Sequence, residues 1–136
     1  MRSSGVTSWL RLARAHQLLA RAFSDHLRGH GLSPAQFDVL VHVGDRPELT
    51  QQELAERLLV TKGNVCQILG RMEVQGLITR QPEGRAKRVD LTPAGERLYA
   101  EVIPAHEARV EEILGALSSA DQATLRRLLR AVERAV

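Results

Sequence analysis

Two helix-start signals, Thr50 and Thr61, sit so close together that they constrain this chain more than anything else in it. Thr50-Gln51-Gln52-Glu53 is a capping box, and it opens a helix through Leu54 and Leu58 of only about two turns. After Leu59-Val60, Thr61 is the N-cap of another helix, with Val65, Ile68, Leu69 and Met72 as its buried face and Gly76 as its left-handed end. A two-turn helix has no stability of its own and must be packed against a partner. Two short helices joined by three or four residues form a helix-turn-helix. Leu77-Ile78-Thr79-Arg80 and Arg88-Val89-Asp90-Leu91 then read as short strands around a turn that contains Pro82 and Gly84. A helix-turn-helix with a β-hairpin behind it is a winged helix.

The flanking segments are helical. From Val6 to Leu27 apolar residues recur at three- and four-residue steps, with Arg11, Arg14, Arg21 and Arg28 between them, and Gly29 and Gly31 end the pattern. Ser33-Pro34-Ala35-Gln36 starts a second helix that runs to about Val43. Thr92-Pro93 opens a fifth, carrying Leu98, Val102, Val110, Ile113, Leu114 and Leu117, and Pro104 is expected to bend it. Ser118-Ser119-Ala120-Asp121 caps a sixth with a single apolar stripe through Leu125, Leu128, Leu129, Val132 and Val136. The expected fold is mainly α with a small β-hairpin wing, one domain over 1–136. The winged helix covers about 33–92, and helices at about 5–30 and 93–136 carry more apolar surface than it can cover, so they are expected to pair with a second copy.

Charge narrows the partner. The formal net charge is +3, and residues 61–90 hold that whole excess: Lys62, Arg71, Arg80, Arg85, Lys87 and Arg88 against Glu73, Glu83 and Asp90. Residues 1–30 are also basic, with five arginines against Asp25, and residues 31–60 compensate with five acidic residues against two arginines. Clustered positive charge is the footprint of a polyanion partner. Aromatic residues are 3% of the chain, which argues against base stacking on aromatic platforms. The apolar runs are far shorter than the ~20 residues of a spanning helix, and no signal-peptide core follows Met1, so a cytoplasmic protein away from the membrane is expected. Cys66 is the single cysteine, which excludes an internal disulfide and a multi-cysteine metal site within one chain.

The chemistry of the fourth helix suits double-stranded DNA. Its outward positions are Lys62, Gly63, Asn64, Gln67 and Arg71. Asn and Gln pair with adenine in the major groove, and Arg or Lys with guanine or phosphate. Thr61 and Lys62 lie where helix N-terminal amides favour phosphate. The hairpin tip brings Arg85, Lys87 and Arg88 beside Gly84, an arrangement suited to a minor groove or its phosphate walls. The competing reading is a winged-helix module that binds protein and not DNA, which would present apolar residues on this face.

Phe37-Asp38-Val39-Leu40, Leu49-Thr50-Gln51-Gln52-Glu53-Leu54-Ala55-Glu56-Arg57-Leu58, Thr61-Lys62-Gly63-Asn64-Val65, Gly76-Leu77-Ile78-Thr79-Arg80 and Leu91-Thr92-Pro93-Ala94-Gly95 occur in this order. Together they resemble the MarR family of bacterial transcription regulators across nearly the whole chain. The resemblance implies a homodimer that reads a pseudo-palindromic operator with its fourth helix, acts as a repressor, and is released by a small-molecule effector. It places the DNA contacts on Thr50, Gln51, Thr61, Lys62, Asn64, Gln67 and Arg71, with the wing cation at Arg85 or Arg88. The chain departs from the family pattern with Cys66 for Thr or Ser, Gly70 for Asp, and Glu83-Gly84-Arg85 in place of a longer wing with Asp-x-Arg. Without those aspartates the usual tie between wing and recognition helix is missing, which implies a looser wing.

Other constellations are less specific. His26 and His30 stand four apart, and His42 with Asp38 and His106 with Glu107 add possible ligands, but histidines this scattered read as structural or exposed, and no metal or cofactor is expected. Cys66 faces either the DNA or the helix packing, and reads as a small packing residue. Trp9, His16, Phe23 and Phe37 are candidates to line an effector pocket, with core packing as the alternative. No catalytic constellation is recognisable, so an enzyme is not expected.

Overall fold

The computed structural model describes residues 1–136 and contains six helices and one hairpin: α1 (Ser4–Arg28), α2 (Pro34–Asp45), α3 (Gln51–Leu58), α4 (Lys62–Val74), β1 (Ile78–Glu83), β2 (Ala86–Leu91), α5 (Pro93–Leu114) and α6 (Ser119–Ala135). The expected mainly α fold with a hairpin wing is the fold observed. Two compact units divide the chain, Met1–Ile103 and Pro104–Val136.

In the first unit the caps set the helix starts. Ser33 Oγ accepts from Gln36 N at 3.1 Å while Gln36 Oε1 accepts from Ser33 N at 3.2 Å, and Thr50 and Glu53 repeat the exchange at 3.1 and 3.3 Å. Thr61 Oγ1 accepts from Asn64 N at 3.1 Å, which fixes the first turn of α4. Between α3 and α4, Leu59 adopts a left-handed conformation with φ 55° and is 93% exposed. Gly76, with φ 76°, closes α4 in the same way.

The core forms two adjoining clusters. One joins Val39 and Val43 of α2, Leu54 and Ala55 of α3, Val65, Leu69 and Met72 of α4, and Ile78 and Val89 of the wing. The other joins Leu27, Leu32, Phe37, Leu40 and Val102. Each fully buried aliphatic side chain contributes about 1.5–3 kcal/mol, so α3 and α4 owe their stability to this packing.

The hairpin is longer than its sequence suggests. β1 and β2 pair antiparallel from Ile78 with Leu91 to Glu83 with Ala86, leaving a two-residue turn, Gly84-Arg85, with Gly84 at φ 63°. The expected strands stopped at Arg80 and resumed at Arg88, with Pro82 in the turn. Instead Pro82 pairs with Lys87. In a hairpin closed this way the Glu83–Ala86 pair carries the hydrogen bonds, so Pro82 falls at a position whose missing N–H costs no ladder bond.

The second unit holds the end of α5 and all of α6. Gln122 Nε2 donates to the carbonyls of Leu114 and Leu117 at 3.0 and 3.1 Å, and Ser118 Oγ accepts from Asp121 N, so the turn is closed and α6 capped as its sequence predicts. Leu117 lies in that turn, past the end of α5. Pro104 sits inside α5. No residue from 104 to 136 is buried in the single chain.

Candidate nucleic-acid interface

The site is assembled by α3, α4 and the wing. A cleft of about 350 Å³ is lined by Gln51 and Gln52 at the start of α3, Lys62 at the start of α4, and Arg85, Ala86 and Lys87 of the hairpin. Four expected DNA-contacting residues, Gln51, Lys62, Arg85 and Lys87, thus meet at one place. Asn64, Gln67 and Arg71 continue along α4, all exposed, with Val65, Leu69 and Met72 buried behind them. That alternation turns the polar face of α4 outward and fixes it by core packing.

Thr50 and Thr61 are held by their caps. The Thr50 hydroxyl also donates to Glu53 Oε1 at 2.9 Å. The segment before α3 is stitched to the wing, since Val89 N donates to Leu49 O at 2.9 Å and Thr50 bridges to Arg88. The base of the hairpin therefore registers directly on the start of α3.

Arg88 stands apart from the other wing cations. Its Nε donates to Asp90 Oδ2 at 2.9 Å, and both side chains are about one-third exposed. The carboxylate raises the Arg88 pKa above the ordinary arginine value, chiefly through this hydrogen bond. The wing thus offers Arg85 and Lys87 as exposed cations, while Arg88 is neutralised by its neighbour.

The node that the sequence reading missed is Arg80. On β1 it shares a face with Ile78, which points it into the domain, and it is paired across the strands with Val89. Its guanidinium bonds Glu73 through two nitrogens, with the Nε contact at 2.8 Å, and reaches Gln51 Oε1 at 3.3 Å and Cys66 Sγ at 3.5 Å. The side chain is 16% exposed. The hydrogen bond to Glu73 is the largest influence on Arg80 and raises its pKa. A charge on the inward face of a strand requires a partner, and that alternation was the signal available in the sequence. Although the aspartates of the family pattern are missing, Arg80 and Glu73 join β1 to α4.

The remaining candidates do not converge. Trp9, His16 and Phe23 form a stripe along α1, from Trp9 at 62% exposure to half-buried Phe23, while Phe37 lies in the core. The rings of His26 and His30 meet edge-on at 5.2 Å, and His30 Nδ1 lies 3.7 Å from Glu101 Oε1. No group of three or more side chains is placed to hold a metal ion, and no helix is long and apolar enough to cross a membrane.

Comparison with known proteins agrees with this architecture. The MarR family profile matches residues 30–89. An HTH-type transcriptional regulator of Bacillus cereus is 36% identical over 100 residues, covering 74% of this chain and 68% of that protein. Among solved structures, AbsC, a MarR family transcriptional regulator from Streptomyces coelicolor, superposes with a TM-score of 0.89 at 22% identity, over 98% of this chain and 95% of its own. The DNA complex of Staphylococcus aureus MepR superposes with a TM-score of 0.84 at 19% identity, over 95% and 96% of the two chains. With the winged helix, the two capping boxes and a relative above one-third identity in agreement, the chain belongs to the MarR family of transcriptional regulators.

Proposed function

We propose that the protein is a homodimeric repressor that binds a pseudo-palindromic operator, with α4 in the major groove and the hairpin against the backbone beside it. The observation that carries this reading is the cleft that gathers Gln51, Lys62, Arg85 and Lys87 next to the exposed Asn64, Gln67 and Arg71. Amide side chains on a major-groove helix read bases, and flanking cations position the helix without reading sequence. MepR, solved with DNA on the same fold, is a precedent for the docking. The polar character of α4 from Lys62 to Arg71 favours DNA over a protein partner.

The dimer is supported by what the single chain leaves uncovered. Val6, Trp9 and Leu12 on α1 and Leu125, Leu128 and Val132 on α6 are all exposed. A two-fold pair would cover such stripes and present two α4 helices to half-sites about one helical turn apart. Release by a small-molecule effector is part of the reading through the family resemblance.

Selection from a pool of random duplexes tests the proposal. A two-fold-related sequence motif should emerge, bound by the dimer with an affinity that falls steeply with salt. Recovery of no motif, with equal retention of all duplexes, would overturn the sequence-specific reading.

A further inference from the structure

The α1 helix carries a second basic surface that the α4 interface does not use. Placed around the helix at ~100° per residue, Arg11, Arg14, Arg21 and Arg28 fall within an arc of about 100°, on the side opposite Trp9, His16, Phe23 and Leu27. The row spans about 25 Å along the axis. All four arginines are exposed. Arg28 pairs with Asp25, the one acidic residue of the helix, at 3.1 Å, whereas Arg11, Arg14 and Arg21 make no ion pair. At the N-terminal end Arg2, Arg11 and Arg14 line a cleft of about 320 Å³ with Thr7 and Leu10. Like charges three residues apart on a helix repel, so this arrangement weakens the element that carries it.

We propose that this outer face of α1 binds the phosphate backbone of duplex DNA, at a segment other than the one α4 contacts. The charge is entirely arginine, whose planar fork matches phosphate oxygens in a way that lysine does not. The arc contains Leu10 and Leu18 but no aromatic anchor, and it lacks the charge-depleted centre of a protein interface. A straight row of unpaired cations suits a polyanion backbone, and contacts of this kind carry no sequence information. Of the apolar residues offered to a second copy, Trp9 and Leu12 point the other way and Val6 lies about 40° outside the arc, so a pairing through them leaves the row open. Each dimer then holds two sequence-independent DNA contacts in addition to its two reading helices.

Arginine-selective modification with phenylglyoxal, followed residue by residue by mass spectrometry, tests this on the full chain. The probe is a random-sequence duplex of about 30 base pairs in excess. Modification of Arg11, Arg14 and Arg21 is expected to slow at least fivefold when the duplex is added, together with that of Arg85. Protection of Arg85 with none on α1 overturns this proposal and leaves the α4 reading standing, and protection of neither overturns both. Arginines on α1 that are unreactive before DNA is added, or that are protected by polyglutamate and not by the duplex, also overturn it. In a second measurement, Arg11→Gln, Arg14→Gln and Arg21→Gln together should flatten the log–log salt slope by roughly 2–3 for each α1 face on the DNA. The charge-matched set Arg46→Gln, Arg57→Gln and Arg97→Gln should change it far less, and equal slopes for the two sets overturn the proposal.

Discussion

Arg80 on the first wing strand holds Glu73 on α4, with Nε donating to Oε1 at 2.8 Å and a terminal guanidinium nitrogen bonding the same oxygen. The pair is the mechanical link between the wing and α4, and Gln51 and Cys66 lie against the same guanidinium. Glu73→Ala leaves a half-buried cation without its acid and should cost about 1–2 kcal/mol, a fall in Tm of about 3–6 °C. A Cβ at Gly70 would meet nothing nearer than Arg80 Nη2 at 3.9 Å, so an aspartate there is within reach of the guanidinium. Gly70→Asp should therefore restore at least half the loss in the Glu73→Ala background. Gly70→Ala is the control for helix propensity, and an alanine that restores as much as the aspartate would remove the ion pair from the explanation.

Gly95 marks where α5 crosses the base of the wing. A Cβ there would stand 2.1 Å from the carbonyl oxygen of Leu77, a backbone atom that also accepts from Thr92 N at 3.0 Å. Neither group can move aside cheaply. Gly95→Ala should destabilise the protein by about 2–4 kcal/mol, measured by urea unfolding, whereas Ala94→Gly beside it should cost at most about 1 kcal/mol. Equal effects would mean that the close approach is not what the glycine provides.

Leu59 occupies a left-handed conformation while exposing nearly its whole side chain. Such a residue carries strain of about 1 kcal/mol and loses no burial on truncation. Leu59→Gly should therefore raise stability by about 0.5–1 kcal/mol, despite the added freedom of the unfolded chain. A drop in Tm would show that the leucine makes a contact in the assembled protein that the single chain lacks.

The unburied second unit makes the assembly testable. Because no residue from 104 to 136 is buried and Leu125, Leu128 and Val132 are exposed, deleting 120–136 should abolish the dimer and with it tight binding. Sedimentation of the full chain as a well-folded monomer at micromolar concentration would defeat the two-fold arrangement.

Caps and apolar spacing made most of the fold legible. Ser33, Thr50, Thr61 and Ser118 each cap the helix their sequence announces, because these are local exchanges between neighbouring residues. The hairpin was less legible, since Pro82 reads as a strand breaker until the register shows that its N–H is not needed. The outward residues of α4 followed from periodicity. The partners of Arg80 and Arg88 did not, because Glu73 and Asp90 are brought to them by chain reversal and by strand alternation, neither of which charge counting captures.

The proposed roles of α4 and the wing can be separated by substitution, and one wing cation, Arg88, is already paired with Asp90. Asn64→Ala or Gln67→Ala should cost about 1–3 kcal/mol on the selected operator and much less on random duplex, because removing a base-reading group affects only the matched sequence. Arg85→Ala with Lys87→Ala should instead weaken both duplexes by similar factors and flatten the salt slope by roughly 2 for each protomer on the DNA, about one for each phosphate no longer neutralised. Arg88→Ala is expected to differ from its neighbours. Its charge is held by Asp90, so binding DNA through Arg88 would first require breaking that pair, and its removal should leave the salt slope nearly unchanged. Titrations of the three variant sets on both duplexes at several salt concentrations decide between the roles. A slope that falls for Arg88→Ala as much as for Arg85→Ala would mean that Asp90 yields its partner to the DNA, and that the wing grips with three cations and not two.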